Sequence, residues 1–265
     1  MVKSFRAPAV AGTFYPAHPQ ELKQMVDGFL DEVAIHTHSS PKALIVPHAG
    51  YIYSGPIAAT AYAQLASMRD KINRVIVLGP AHRVAFHGLA VPSVASFNMA
   101  FGQIPVDQST IEKLVQLPQV SVMDEAHQLE HSLEVQLPFL DTVLDHFTLV
   151  PIVVGEASAQ QVAEVIESCW GGEETLIVVS SDLSHYEQYE TAKKIDRETC
   201  QQIEALEWQA LTYSSACGCQ AICGLLLIAQ RLNLSIKLID LRSSGDTAGD
   251  HHRVVGYGAF VVSPC

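Results

Sequence analysis

Two histidines in this chain follow strand-like runs: His48 closes ALIVPH, and His82 closes VIVLGPAH. Short apolar runs flanked by Pro and Gly read as strands buried on both faces, the kind found in parallel sheets. In open α/β sheets, ligands lie beyond the carboxyl ends of such strands. Imidazoles delivered there from two strands can converge on one cation, and imidazole suits zinc, copper and iron alike. Two further runs end in acids: LIVVSSDLSH carries Asp182 and His185, and IKLIDLRSSGDTAGD carries Asp246 and Asp250. Two imidazoles and one carboxylate are the facial triad of a non-haem ferrous ion, which leaves positions open for substrate and oxygen. On that reading His48, His82 and Asp246 are the ligands. His185, a side chain that titrates near neutrality, is then free to move protons.

Each of these residues also has a structural explanation. A histidine after a strand is often a hydrogen-bonded loop residue, and SSD is a common helix N-cap. SGDTAGD is first of all a tight loop, because Gly245 and Gly249 permit left-handed backbone and Asp favours turns. His127 and His131 stand four apart in EAHQLEHSLEVQLPFL, which places both on one helical face, but the zincin order H-E-x-x-H is missing. Glu130, His131 and Glu134 can instead orient a ligand imidazole from behind. Cys217, Cys219 and Cys223 in ACGCQAIC match neither a zinc ribbon nor a ferredoxin run, so they read as buried thiols opening a helix. His251 and His252 read as exposed loop residues. Gly79 and Gly88 form no nucleotide-binding fingerprint.

The elements that must position these groups alternate. Strand-like runs recur at 43–46, 74–79, 88–92, 148–155, 175–180, 235–241 and 254–262. Helical spacing marks 20–34, 57–68, 109–117, 133–144, 159–169, 189–206 and 221–232, with Asp107 and Ser158 as N-caps. Such alternation predicts an α/β fold with a central mixed, mainly parallel sheet covered by helices, closed by VVGYGAFVV as an antiparallel strand. No repeat or linker-like break divides the chain, so residues 1–265 are expected to form a single domain.

Composition narrows the function classes. A net charge of −12 over 265 residues, without a basic run, argues against nucleic acid as a partner. No stretch approaches the roughly 18 apolar residues of a membrane span, and the N-terminus lacks the apolar core of a signal peptide. A cytoplasmic protein with six reduced cysteines is expected.

Taken together, RAPAVAGTFYP, VPHAGYIYSG, LGPAH, EHSLEVQLPFL, SSDLSHY, ACG and VVGYGAF resemble the Memo family, component B of the AmmeMemoRadiSam set, nearly end to end. That family in turn looks like the catalytic subunit of class III extradiol ring-cleaving dioxygenases, a mixed α/β fold whose iron is held by two histidines and a glutamate. The resemblance implies His48 and His82 as imidazole ligands and His185 as the acid/base histidine, accompanied by Asp182. The third ligand is where this chain departs. Animal relatives carry a cysteine after the serine pair, whereas SSGD offers Asp246, with Asp250 and His251 close behind. A carboxylate there favours iron(II) over copper or zinc.

The function so implied is a metal-dependent, dioxygenase-like oxidoreductase acting on a small molecule. The alternatives are a peptide-binding protein that kept the cleft, an accessory to AmmeMemoRadiSam pathway proteins, and a zinc hydrolase. A phosphopeptide would want basic residues, and the loops offer Arg83, Arg242 and Arg253. Tyr51, Tyr53 and Tyr186 are expected to line the rim of a flat pocket.

Overall fold

The apolar runs become strands at the centre of a mixed sheet. The computed structural model describes residues 5–34 and 40–264. Its strands are β1 (Phe5–Arg6), β2 (Ala43–Val46), β3 (Arg74–Pro80), β4 (Leu89–Val91), β5 (Ser96–Met99), β6 (Gly102–Pro105), β7 (Val120–Val122), β8 (Thr148–Val154), β9 (Thr175–Ser180), β10 (His185–Glu187), β11 (Leu234–Ser243) and β12 (Val254–Pro264). The helices are α1 (Pro19–Asp31), α2 (Tyr51–Tyr62), α3 (Gln108–Leu114), α4 (Asp124–Gln128), α5 (Leu137–Val143), α6 (Ala159–Ser168), α7 (Tyr189–Glu204) and α8 (Cys219–Leu232).

β2, β9, β3 and β8 lie side by side in that order, all parallel. They are buried almost end to end, which requires cover on both faces. α1, α2 and α5 pack together, with α2 also on β2, while α6 pairs with α8 and α8 lies on β3 and β9. The flanks of the sheet are antiparallel: β12 runs against β2, β11 and β10 against β12, and β4 against β8. The closing run thus forms the expected antiparallel strand. β1, β5 and β6 make a small second sheet. No helix among the described residues is long and apolar enough to cross a membrane.

Both predicted caps form. Asp107 accepts the Thr110 N–H, and Ser158 and Gln161 close a reciprocal capping box on α6. Two helices differ from expectation. The helix expected from Ile57 starts at Tyr51, runs through Pro56 and tightens to a 3₁₀ turn over Ala63–Met68. The run from Leu133 divides into a 3₁₀ turn, Glu134–Gln136, and α5, where Pro138 sits in the first turn that tolerates it. α4 ends at Gln128, so His127 and His131 share no helical face, and His127 Nε2 donates to the Ala90 carbonyl at 3.0 Å.

One buried carboxylate fixes the segment that follows. Glu134 accepts from the Arg6 guanidinium, the Ala9 and Val10 N–H groups at 2.8 and 3.0 Å, and the Tyr15 hydroxyl at 2.5 Å. Arg6 reaches back to the His127 carbonyl at 3.0 Å. The N-terminal segment and residues 127–134 are therefore held as one unit.

Candidate metal centre

Because β2, β9 and β3 are adjacent and parallel, their carboxyl ends deliver three polar groups to one place. His48, Asp182 and His82 each stand two residues beyond those ends. His131 comes from the segment after α4, laid across the end of β3. Gly79 allows that approach: a Cβ there would sit 2.6 Å from Ser132 Oγ and 2.9 Å from Leu133 Cδ2. One ring nitrogen from each of His48, His82 and His131 lies within 4.8 Å of the others. The His82 and His131 rings stack with centroids 4.7 Å apart, and His48 meets both edge-on at 5.2 and 5.5 Å.

The hydrogen bonds behind the rings fix which nitrogen faces the cluster. Ser180 Oγ donates its single proton to the Ser132 carbonyl at 2.6 Å and receives the Gln136 amide at 2.8 Å. Gln136 is oriented in turn, since its Nε2 also donates to the Pro47 carbonyl and its Oε1 accepts from Tyr62. Ser180 can therefore only accept from His48 Nδ1, 2.8 Å away, which leaves a lone pair on His48 Nε2. His82 Nδ1 lies 2.9 Å from Glu130 Oε1. Burial opposes charge on Glu130, but hydrogen bonds from the His82 ring, the His82 N–H and the Ser132 N–H outweigh it and hold the carboxyl down at about 2. A carboxylate so ionised accepts the His82 Nδ1–H and leaves Nε2 free. His131 Nδ1 is buried without a hydrogen bond, with Glu130 Oε1 3.4 Å away.

His48 and His131 stay neutral. Burial, reinforced by the neighbouring imidazoles, pushes His48 down to about 3 and His131 to about 4. Neutral imidazoles with free lone pairs are what a cation requires, and the three-histidine group can hold a divalent metal.

Asp182 is buried beside them. Its Oδ1 accepts the His48 N–H at 2.7 Å, Oδ2 lies 4.0 Å from His48 Nε2, and burial raises its pKa above the usual carboxylate range. His185 is exposed on β10, and its Nδ1 donates to the Leu183 carbonyl at 2.8 Å, leaving Nε2 as an acceptor. Cys217 Sγ approaches His48 Nε2 to 3.4 Å. Burial, then the nearby Asp182 charge, pushes its thiol up to about 12. A cavity of about 960 Å³ opens here, lined by His82, His185 and Cys217 on one side and by Val84, Phe86 and Ile195 among its apolar residues.

The structure places His48, His82 and Asp182 just beyond the ends of β2, β3 and β9 and His185 on the cavity wall, and it sets the residue expected as third ligand apart from the two histidines. Asp246 is exposed and outside the histidine group. Its carboxylate accepts from the Tyr189 hydroxyl and from Ser243 N and Oγ, and despite partial burial these bonds hold its pKa low. It caps its own turn, as the tight-loop reading allows. Asp250 accepts the His252 N–H, and His251 stacks on Tyr189 at 4.1 Å, so neither replaces it. The position beside His48 and His82 belongs to His131, read from sequence only as a supporting residue. Cys217 was also missed among thiols of which Cys219 and Cys223 are indeed buried. Tyr186 lines the cavity, whereas Tyr51 is buried, with its hydroxyl on the Val135 carbonyl.

A mixed α/β sheet with a histidine cluster at its carboxyl edge defines the class of protein. The Memo-like protein family model matches residues 6–261, and the chain belongs to the Memo family. It is 34% identical to a MEMO1 family protein of Sulfolobus acidocaldarius over 95% of this chain and 97% of that one. A MEMO1 family protein of Aquifex aeolicus is 35% identical over the same shares, and one of Methanocaldococcus jannaschii is 33% identical over 98% and 100%. The fold is also similar to that of uncharacterized protein JW3007 from Escherichia coli K12, with a TM-score of 0.52 and 14% identity over 81% of this chain and 98% of that one.

Proposed function

We propose that the protein is a metal-dependent oxidoreductase of the non-haem iron type, acting on a small molecule held in the cavity beside the histidine cluster. The observation that carries this reading is the convergence of His48, His82 and His131, two of them with their tautomers set by hydrogen bonds, next to a cavity of about 960 Å³ that His82 lines. That volume suits a small-molecule ligand. All-imidazole donors accept iron(II), copper or zinc, and iron(II) would supply oxygen activation at its open positions. His185 Nε2, unencumbered on the cavity wall, takes the proton of a bound hydroxyl or thiol. Asp182 steadies the His48 loop through the His48 N–H and, with its raised pKa, can hold a proton beside the cluster.

Among the described residues the cavity lining contains no Lys or Arg, which favours an uncharged or amine-bearing molecule over a phosphate. Phe86, Tyr186 and Tyr213 offer flat surfaces for a ring. A cytoplasmic setting, alongside AmmeMemoRadiSam pathway proteins, suits a site with a free cysteine in its wall.

Anaerobic reconstitution with iron(II), zinc or copper, followed by metal analysis and oxygen-uptake screening against catechols and small thiols, tests this reading. Close to one metal per chain is expected in the wild type, with little in His48→Ala or His82→Ala. Full occupancy in those variants removes the site. An iron-loaded protein that consumes no oxygen with any compound of these classes removes the oxidoreductase assignment.

A further inference from the structure

His48 Nε2 carries a lone pair, and the group that meets it is a thiol. Cys217 Sγ lies 3.4 Å from that nitrogen, closer than its other acceptors, the Asp182 carbonyl at 3.7 Å and Ser181 Oγ at 3.8 Å. The S–H proton therefore lies between sulfur and nitrogen. Two ligands on one tetrahedral ion, with metal–sulfur and metal–nitrogen bonds of about 2.3 and 2.05 Å, stand about 3.6 Å apart. The separation from His48 is thus close to that of a shared cation, and a small inward shift of the sulfur would join it to the group that His48 makes with two further imidazoles.

The local chain is built to hold the sulfur there. The Cys217 N–H donates to the Asp182 carbonyl at 3.2 Å, and the Asp182 N–H donates to Cys217 Sγ at 3.3 Å. Gly218 lets this turn press against the end of β9, where a Cβ would come within 2.7 Å of Ser181 Cβ. An N–H bond to sulfur is the kind of support a ligating thiolate receives. Cys217 lines the cavity beside the cluster, whereas Cys219 and Cys223, two and six residues on, are buried away from its lining.

We propose that Cys217 is a thiolate ligand of the metal, added to His48, His82 and His131, so that the centre takes a sulfur donor on its cavity side. This rests on the metal-site reading above. On binding, the S–H bond breaks, a metal–sulfur bond forms and the proton leaves through the cavity to bulk water. A substrate must then share the metal with, or displace, a soft donor. Sulfur also biases the site toward metals that accept thiolate over those that prefer oxygen alone.

Cobalt(II) reports the donor directly, because thiolate ligation gives a charge-transfer band in the near ultraviolet that imidazole does not. The cobalt-loaded wild type is expected to show that band. Cys219→Ser and Cys223→Ser should keep it, and Cys217→Ser should lose it and bind cobalt at least tenfold more weakly in chelator competition. X-ray absorption of the zinc-loaded wild type needs no variant and should show sulfur at about 2.3 Å. Cobalt bound one per chain without the band, a band that survives Cys217→Ser, or a zinc shell of nitrogen and oxygen alone overturns the cysteine assignment and leaves the histidine site standing. Failure of any metal to bind overturns both.

Discussion

Glu130 serves two chains of contact with one carboxylate. It receives the His82 ring and the His82 N–H on one side and the His131 and Ser132 N–H groups on the other. Glu130→Gln removes a charge that the His82 Nδ1–H needs and is expected to weaken metal binding by about 10- to 100-fold, read by chelator competition. Unchanged affinity would deny Glu130 a role in orienting the ligands. The histidines also set a pH dependence. Burial lowers His48 to about 3 and His127 and His131 to about 4, so the unfolded chain binds more protons than the folded one below about pH 6.5. Stability of the metal-free protein therefore falls as pH drops from 6.5 toward 4, each such ring costing about 2 kcal/mol by pH 5. Asp182 and Asp196, whose pKa values burial raises, act in the opposite sense and reduce the net loss. Urea unfolding at pH 7 and pH 5 measures the difference, and equal stability would contradict neutral burial of these rings. His48 and His82 were legible because each follows its own strand by a fixed short step. His131 was not, since its place depends on a long-range approach across Gly79 that no local pattern records.

Elements position the site through the parallel core. The order β2, β9, β3 puts three carboxyl ends side by side, and this was readable from runs buried on both faces and separated by helical periodicity. Asp246 is kept from the histidine cluster at this scale. β11 runs in the direction of β2 with β12 between them, so its end reaches the same edge one strand further out, where Asp246 turns back onto Ser243 and Tyr189. A sequence run reveals a strand but not its direction or neighbour. The short strands β1, β5, β6 and β7 left no clear signal for the same reason, being two to four residues long and defined by their partners. Gly79→Ala forces Ser132 and Leu133 off the end of β3. Loss of stability and of metal binding together is expected, whereas Ser158→Ala at the cap of α6, remote from the cluster, should cost only about 1 kcal/mol and leave binding intact. Melting curves paired with metal titrations separate the two effects.

For the molecule as a whole, a metal that binds only the folded state must raise its stability. Saturation at 100 times the dissociation constant adds about 2.7 kcal/mol, seen as a melting temperature that climbs with metal concentration in the wild type and stays flat in His48→Ala. A flat response in the wild type would mean that no folded-state site exists. Glu134 extends the argument beyond the cluster. Glu134→Ala leaves Arg6 buried and unpaired and is expected to cost about 3–5 kcal/mol in urea unfolding. That clamp also imposes an order of events during synthesis. Arg6, Ala9, Val10 and Tyr15 leave the ribosome first, yet the carboxylate that gathers them is made more than a hundred residues later, so the opening segment waits without its partner. A chain cut within its first ten residues would lose its grip on the His131 segment from a point remote in sequence. Limited proteolysis there would loosen the histidine cluster without touching one of its rings.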